Sequence, residues 1–105
     1  MLRSLERPPA EGRGEDPRVT VLRAAVARLG RELAGYRVEF TDRAVAEEEI
    51  AGLAALAAEP LPDPARLRRS LLLIAGAVGS VSALAGGMHE VRRAVEEFDS
   101  PAPAV

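Results

Sequence analysis

The chain of 105 residues contains no cysteine, lysine, tryptophan, asparagine or glutamine, and aromatic residues make up only 3% of it. Without cysteine there is no disulfide framework, no zinc–thiolate site and no thiol nucleophile. With so few aromatic rings the core must come from Leu, Val, Ile and Ala, which favours closely packed helices. The net charge of −2, with both signs interspersed, provides no basic surface for a nucleic acid. We therefore expect no nucleic-acid partner.

All 14 basic residues are arginine. Codon bias in a GC-rich genome explains this usage better than phosphate recognition does. The first fifteen residues, MLRSLERPPAEGRGE, have no apolar region of the kind that a secretory signal needs. We therefore expect a cytoplasmic location.

Proline, glycine and charged residues dominate both ends of the chain. Residues 1–15 are predicted to be a disordered arm and residues 99–105 a disordered tail. Residues 16–98 between them are predicted to form one helical domain. Its apolar spacing predicts helices at about 17–35, 42–58 and 64–98.

The first two helices carry clear boundary signals. Asp16 can cap the first helix, whose apolar residues from Val19 to Leu33 recur at steps of three and four. Tyr36–Phe40 alternates like a strand, but it has no partner strand, so it is interpreted as a connector whose rings cover one end of the bundle. Thr41 or Asp42 starts the second helix, and two prolines end it.

The third pattern begins at Asp63 and repeats apolar residues about every 3.5 positions as far as Phe98. A helix over its whole length would be roughly 50 Å long. Gly86-Gly87 is its weak point, because each glycine costs about 1 kcal/mol against alanine inside a helix. The sequence therefore predicts an all-α, antiparallel bundle of three helices built on one long C-terminal helix, or of four helices if the long one breaks at Gly86-Gly87.

The uncharged segment from Ser70 to Met88 has two interpretations. Its length is at the lower limit for a transmembrane helix, and arginines precede it. However, the apolar stripe continues past the uncharged segment to Phe98, which a bilayer would not require but a protein partner would. A membrane span is therefore the weaker alternative, and the stronger one is a helix packed against protein on more than one side.

Small residues in the same segment have the spacing that lets helices approach closely. Two short helices can cover only part of the long one, so we expect a homodimer, with an unknown protein partner left open. The predicted interface is Leu67, Leu71, Ile74, Gly76, Val78, Gly79, Val81, Ala83, Met88, Val91 and Val95.

No catalytic, cofactor-binding or metal site is predicted. His89 has no carboxylate at metal-ligand spacing, and Glu47–Glu49 point about 100° apart along a helix, so they cannot converge on one ion. The serines lie in no nucleophile motif. The cluster Arg66, Arg68 and Arg69 would suit an acidic patch on a partner protein.

Most of the chain resembles a known family. The segments EDPRVTVLRAAVARLGREL, AEEEIAGLAAL, LRRSLLLIAGAVGSVSAL and EVRRAVEEF, within residues 15–98, resemble a family of small uncharacterised actinobacterial proteins of the Streptomyces type, known only as a domain of unknown function. The resemblance implies a helical protein from a high-GC bacterium, and it brings no functional residues.

These observations predict a non-catalytic, self-associating protein–protein interaction or adaptor module that needs no cofactor. Two alternatives stay open at this point: a small single-span membrane protein, and an antitoxin-like or conflict-system regulator of a neighbouring gene product.

Overall fold

A computed structural model describes residues 16–98, which form four α-helices and one short 3₁₀ helix. The α-helices are α1 (Pro17–Gly35), α2 (Arg43–Ala57), α3 (Pro64–Val78) and α4 (Ala85–Glu96), and the 3₁₀ helix is Ser82–Leu84. The predicted all-α class is confirmed. The arm predicted at residues 1–15 and the tail predicted at 99–105 lie outside the described residues.

Aspartate side chains cap two of the helices. The Asp16 carboxylate accepts a hydrogen bond from the backbone N–H of Arg18 at 2.9 Å, and Asp63 accepts one from Ala65 at 3.0 Å. In both helices proline takes the first position, where its missing N–H costs nothing. Asp42, which precedes α2, makes no side-chain capping bond.

Each helix packs against two others, in the order α1, α2, α3, α4 and back to α1. The most extensive contacts join α2 to α3 and α1 to α4; α1 also packs against α2, and α3 meets α4 over a smaller area. One hydrophobic core runs through all four. Its large and most completely buried side chains are Val19, Leu22, Leu29, Leu53, Leu67, Ile74, Leu84, Val91 and Val95.

The connector between α1 and α2 places its two aromatic rings against the core, as predicted. Tyr36 and Phe40 pack against the core with their ring centroids 6.0 Å apart. Arg43, at the start of α2, holds the connector in place. Its guanidinium donates hydrogen bonds to the carbonyls of Leu33, Tyr36 and Val38 and lies 5.2 Å from the centroid of the Phe40 ring.

The predicted four-helix alternative is the one observed, and the prediction of one long C-terminal helix is wrong. The chain leaves α3 at Gly79, turns through Val81, and re-enters helix before α4. The turn is held by the N–H of Val81, which donates to Val78 at 2.9 Å, and by that of Leu84, which donates to Val81 at 3.0 Å. A straight helix of this length would project beyond α1, whereas the turn brings the second half of the apolar stripe back against the core.

The predicted breakpoint is also wrong, because Gly86 and Gly87 both lie within α4. Gly87 is buried where α4 crosses α1, and its missing side chain leaves room for Leu29 and Glu32. Close contact between the two helices therefore offsets the helix-breaking tendency of glycine at this position.

Candidate interaction surface

Most residues predicted to form a dimer interface lie in the core of a single chain. Eight of the eleven are buried by the chain's own helices, so they are closed to a second copy of the folded protein, and this part of the prediction is corrected. They are Leu67, Leu71, Ile74, Val78, Val81, Met88, Val91 and Val95. The apolar stripe indicated burial correctly, but the covering surface is intramolecular because the chain folds back after α3.

The three small residues of that prediction are exposed, in different settings. Gly79 ends α3, and a Cβ there would lie 2.8 Å from the Ala75 carbonyl oxygen, so this glycine suits the local backbone. Ala83 lies in the 3₁₀ helix. Gly76 lies within α3, and no atom outside its helix would lie within 4 Å of a Cβ at this position. Only Gly76 is therefore placed for a close approach by a second helix along α3.

Two large apolar side chains adjoin Gly76 at the surface of α3. Leu72 is 69% exposed and Leu73 is 47% exposed. Since successive helix residues are 100° apart, Ala65, Arg69, Leu72, Leu73 and Gly76 fall on one side of the helix, opposite its buried stripe. We call these five residues the outer face of α3. The predicted interface did not include these two leucines. Their positions off the apolar stripe could have indicated that they are exposed.

A groove of about 430 Å³ runs between α2 and α3 beside this face. Leu73 belongs to both the face and the groove. The groove is lined by Glu49, Gly52, Ala55 and Leu56 from α2, by Glu59 just after the end of α2, and by Arg66, Arg69, Ser70 and Leu73 from α3. The Ser70 hydroxyl donates to the Glu49 carbonyl at 3.4 Å and so fixes the two helices at this point. Val45, 46% exposed, extends the α2 side by one further turn.

The two rims of the groove carry opposite charge. The α2 rim has Glu49 and, just after the end of the helix, Glu59; the α3 rim has Arg66 and Arg69. Arg66 and Glu59 approach to 4.0 Å across one end of the groove. Within residues 16–98, neither Arg69 nor Glu49 has an ion-pair partner. The groove is thus flanked by one acidic and one basic side chain whose charges are not paired among the described residues.

A second groove, of about 370 Å³, lies between α1 and α2. Its floor and walls are small and apolar, and include Ala27, Gly30, Ala51 and Ala54. Arg23 lies at its edge, where it donates to the last carbonyls of α2, at 2.8 Å in the case of Ala57. No large exposed apolar side chain lines this groove, whereas Leu72 and Leu73 are exposed on the outer face of α3.

The polar residues singled out in the sequence are dispersed. His89 is exposed on α4, and Glu47 and Glu48 are exposed on α2. In the part of the chain that the structure describes, no three acidic or histidine side chains are grouped so as to hold a metal ion. Between residues 16 and 98, every helix is too short or too polar to cross a bilayer.

Comparison with known proteins assigns a family. A family model described as "Family of unknown function (DUF5955)" matches residues 11–99, and the chain therefore belongs to this family. No curated protein and no solved structure matches the chain.

Proposed function

We propose that this member of the DUF5955 family is a non-catalytic interaction module that self-associates through the outer face of α3. The observation that carries the proposal is the adjacent pair of exposed leucines, Leu72 and Leu73, beside an unobstructed glycine. Exposed apolar area concentrated at one site, with polar residues around it, is typical of surfaces that contact protein.

The size of this surface sets the expected affinity. Burying a fully exposed leucine contributes about 1.5–3 kcal/mol, so the four partly exposed leucines of two copies would contribute roughly 3–7 kcal/mol. A dissociation constant of 1 μM needs about 8 kcal/mol after the costs of association. Because the apolar contribution is below this figure even before those costs are subtracted, we expect a weak dimer with a dissociation constant well above 1 μM.

Sedimentation equilibrium tests the proposal. The wild-type protein, measured up to about 500 μM, should show a reversible monomer–dimer equilibrium. Leu72→Glu should weaken the dimer at least tenfold, because association would bury a carboxylate. Val21→Glu is the matched control, since Val21 is an exposed (56%) aliphatic residue on α1, outside the proposed surface. A monomer at every concentration, or equal weakening by both substitutions, would refute the proposal.

The predicted cellular setting belongs to the same proposal. Exclusive use of arginine as the basic residue supports a GC-rich, actinobacterial source. Cytoplasmic residence stays a prediction, and fractionation of cells that express the full chain would test it.

A further inference from the structure

The two sides of the α2–α3 groove complement each other in shape and charge. The α2 side has small residues, Gly52 and Ala55, between two glutamates. The α3 side has Arg69 and a large apolar residue, Leu73. Such a surface is able to bind a copy of itself if the copy is turned so that unlike sides meet.

We propose that two copies meet with α3 of each lying on α2 of the other. Arg69 then faces Glu49 of the partner subunit, and Leu73 packs on the partner subunit's Gly52. This arrangement rests on the proposed function, because it specifies the geometry of the same self-association.

The register within one chain fixes which residues meet. The Arg66–Glu59 contact and the Ser70–Glu49 hydrogen bond place this part of α3 alongside the segment from Glu49 to Glu59. A two-fold axis parallel to the helices and passing between the copies exchanges α2 for α3 without shifting residues along the helices. Arg69 therefore lies within one or two helical turns of the partner subunit's Glu49, a distance that an arginine side chain spans.

The shape of the α2 side suits a leucine. No atom outside α2 would lie within 4 Å of a Cβ at Gly52, so the space above this residue is open. A large side chain that enters between small residues of a facing helix gives the close packing typical of helix pairs. Leu73, which lines the same groove, supplies such a side chain.

In the antiparallel arrangement of two α3 helices, Arg69 has no acidic partner. If the axis ran across the helices, α3 would lie antiparallel on α3 of the partner subunit. Arg69 would then face the uncharged second half of that helix, and no acidic residue of α3 would be available, because α3 has none. Charge complementarity therefore favours α3 on α2.

Charge reversal in two separate chains tests the arrangement. Arg69→Glu makes both unpaired charges of the groove negative, and Glu49→Arg makes both positive, so each variant alone should lose dimer affinity at least tenfold. An equimolar mixture should form a heterodimer with wild-type affinity, because acidic rims then meet basic ones at both contacts. Arg31→Glu, on the exposed side of α1, should leave the affinity unchanged. The readout is the mass by light scattering, with circular dichroism to establish that each variant is folded.

A second variant separates shape from charge. Gly52→Leu should leave the monomer folded, because the space at its Cβ is open, and should abolish association by filling the site that Leu73 enters. If the wild type dimerises but these variants do so equally well, or if the mixture does not recover the dimer, the arrangement is wrong while the proposed function stands. If the wild type stays monomeric, both fail.

Discussion

The carboxylate of Glu32 on α1 lies over the backbone of Gly87 on α4, in the space that a side chain at position 87 would fill. One carboxylate oxygen accepts a hydrogen bond from the Arg28 Nε at 2.9 Å, and the other is buried without a hydrogen-bond partner. Arg28 also reaches Glu90 on α4 at 3.4 Å. The contact between α1 and α4 thus depends on a glycine that lets a charged side chain come close to a helix backbone.

The adjacent glycines of α4 provide a matched pair of substitutions. Gly87→Ala should destabilise the fold by about 1–2 kcal/mol, because its methyl group would meet the Glu32 carboxylate and lie 3.1 Å from Leu29 Cδ1. Gly86→Ala should stabilise it by up to about 1 kcal/mol, since its methyl group meets only Arg28 at 3.9 Å and alanine favours helix. Urea unfolding measures both. Changes of the same sign would contradict the described crossing.

The helix caps provide a second pair. Asp63→Ala should lower the free energy of unfolding by about 1 kcal/mol, because the N–H of Ala65 loses its acceptor. Asp42→Ala should change it by less than about 0.5 kcal/mol, since Asp42 makes no capping bond. Thermal unfolding of the two variants beside wild type tests this difference, and equal losses would show that the assignment of the caps is wrong.

The cap at Asp16 should make stability depend on pH. Hydrogen bonds from the Arg18 guanidinium and backbone N–H hold the pKa of the Asp16 carboxyl below its ordinary value of 3.8. Because the folded pKa is the lower one, the stabilisation is complete above pH 3.8 and is lost as pH falls through the folded pKa. Asp16→Asn keeps a capping oxygen but does not titrate. Its stability should therefore approach that of wild type as the pH is lowered below 3.8, whereas a constant difference would exclude this linkage.

Arg43 should contribute to stability through the connector that it holds. Its side chain is only 15% exposed and donates to carbonyls at the end of α1 and in the connector. Arg43→Ala should destabilise the protein by about 2 kcal/mol, because charged donors leave those carbonyls. Arg37→Ala, exposed in the same connector, should cost less than about 0.5 kcal/mol. Similar losses for the two, measured by urea unfolding, would show that the Arg43 contacts are unimportant.

Local signals in the sequence predicted much of the fold. The aspartate–proline pairs at residues 16–17 and 63–64 marked two helix starts, and α1 spans the range that its apolar spacing predicted. Such signals act within one or two helical turns, so they can be recognised without the tertiary structure.

The turn at Gly79–Val81 could not be predicted in the same way. The apolar period continues across it, because both α3 and α4 bury their apolar residues in one core, and a continuous period is also what one long helix would show. The stability of the turn depends on contacts between α4 and α1, which are remote in sequence. The missed turn also explains why the predicted interface is wrong. The apolar stripe predicted to meet a second copy is covered by the chain itself, and Leu72 and Leu73 lie outside that stripe and are exposed.

Disulfide trapping tests most directly whether two copies meet at the α2–α3 surface, because the chain has no cysteine of its own. A mixture of Leu73→Cys and Gly52→Cys chains, mildly oxidised, should give a covalent dimer much faster than a mixture of Leu73→Cys and Val21→Cys chains. The bond requires Cα atoms within about 7 Å, so it reports the proposed contact itself. Equal yields from the two mixtures would contradict the account.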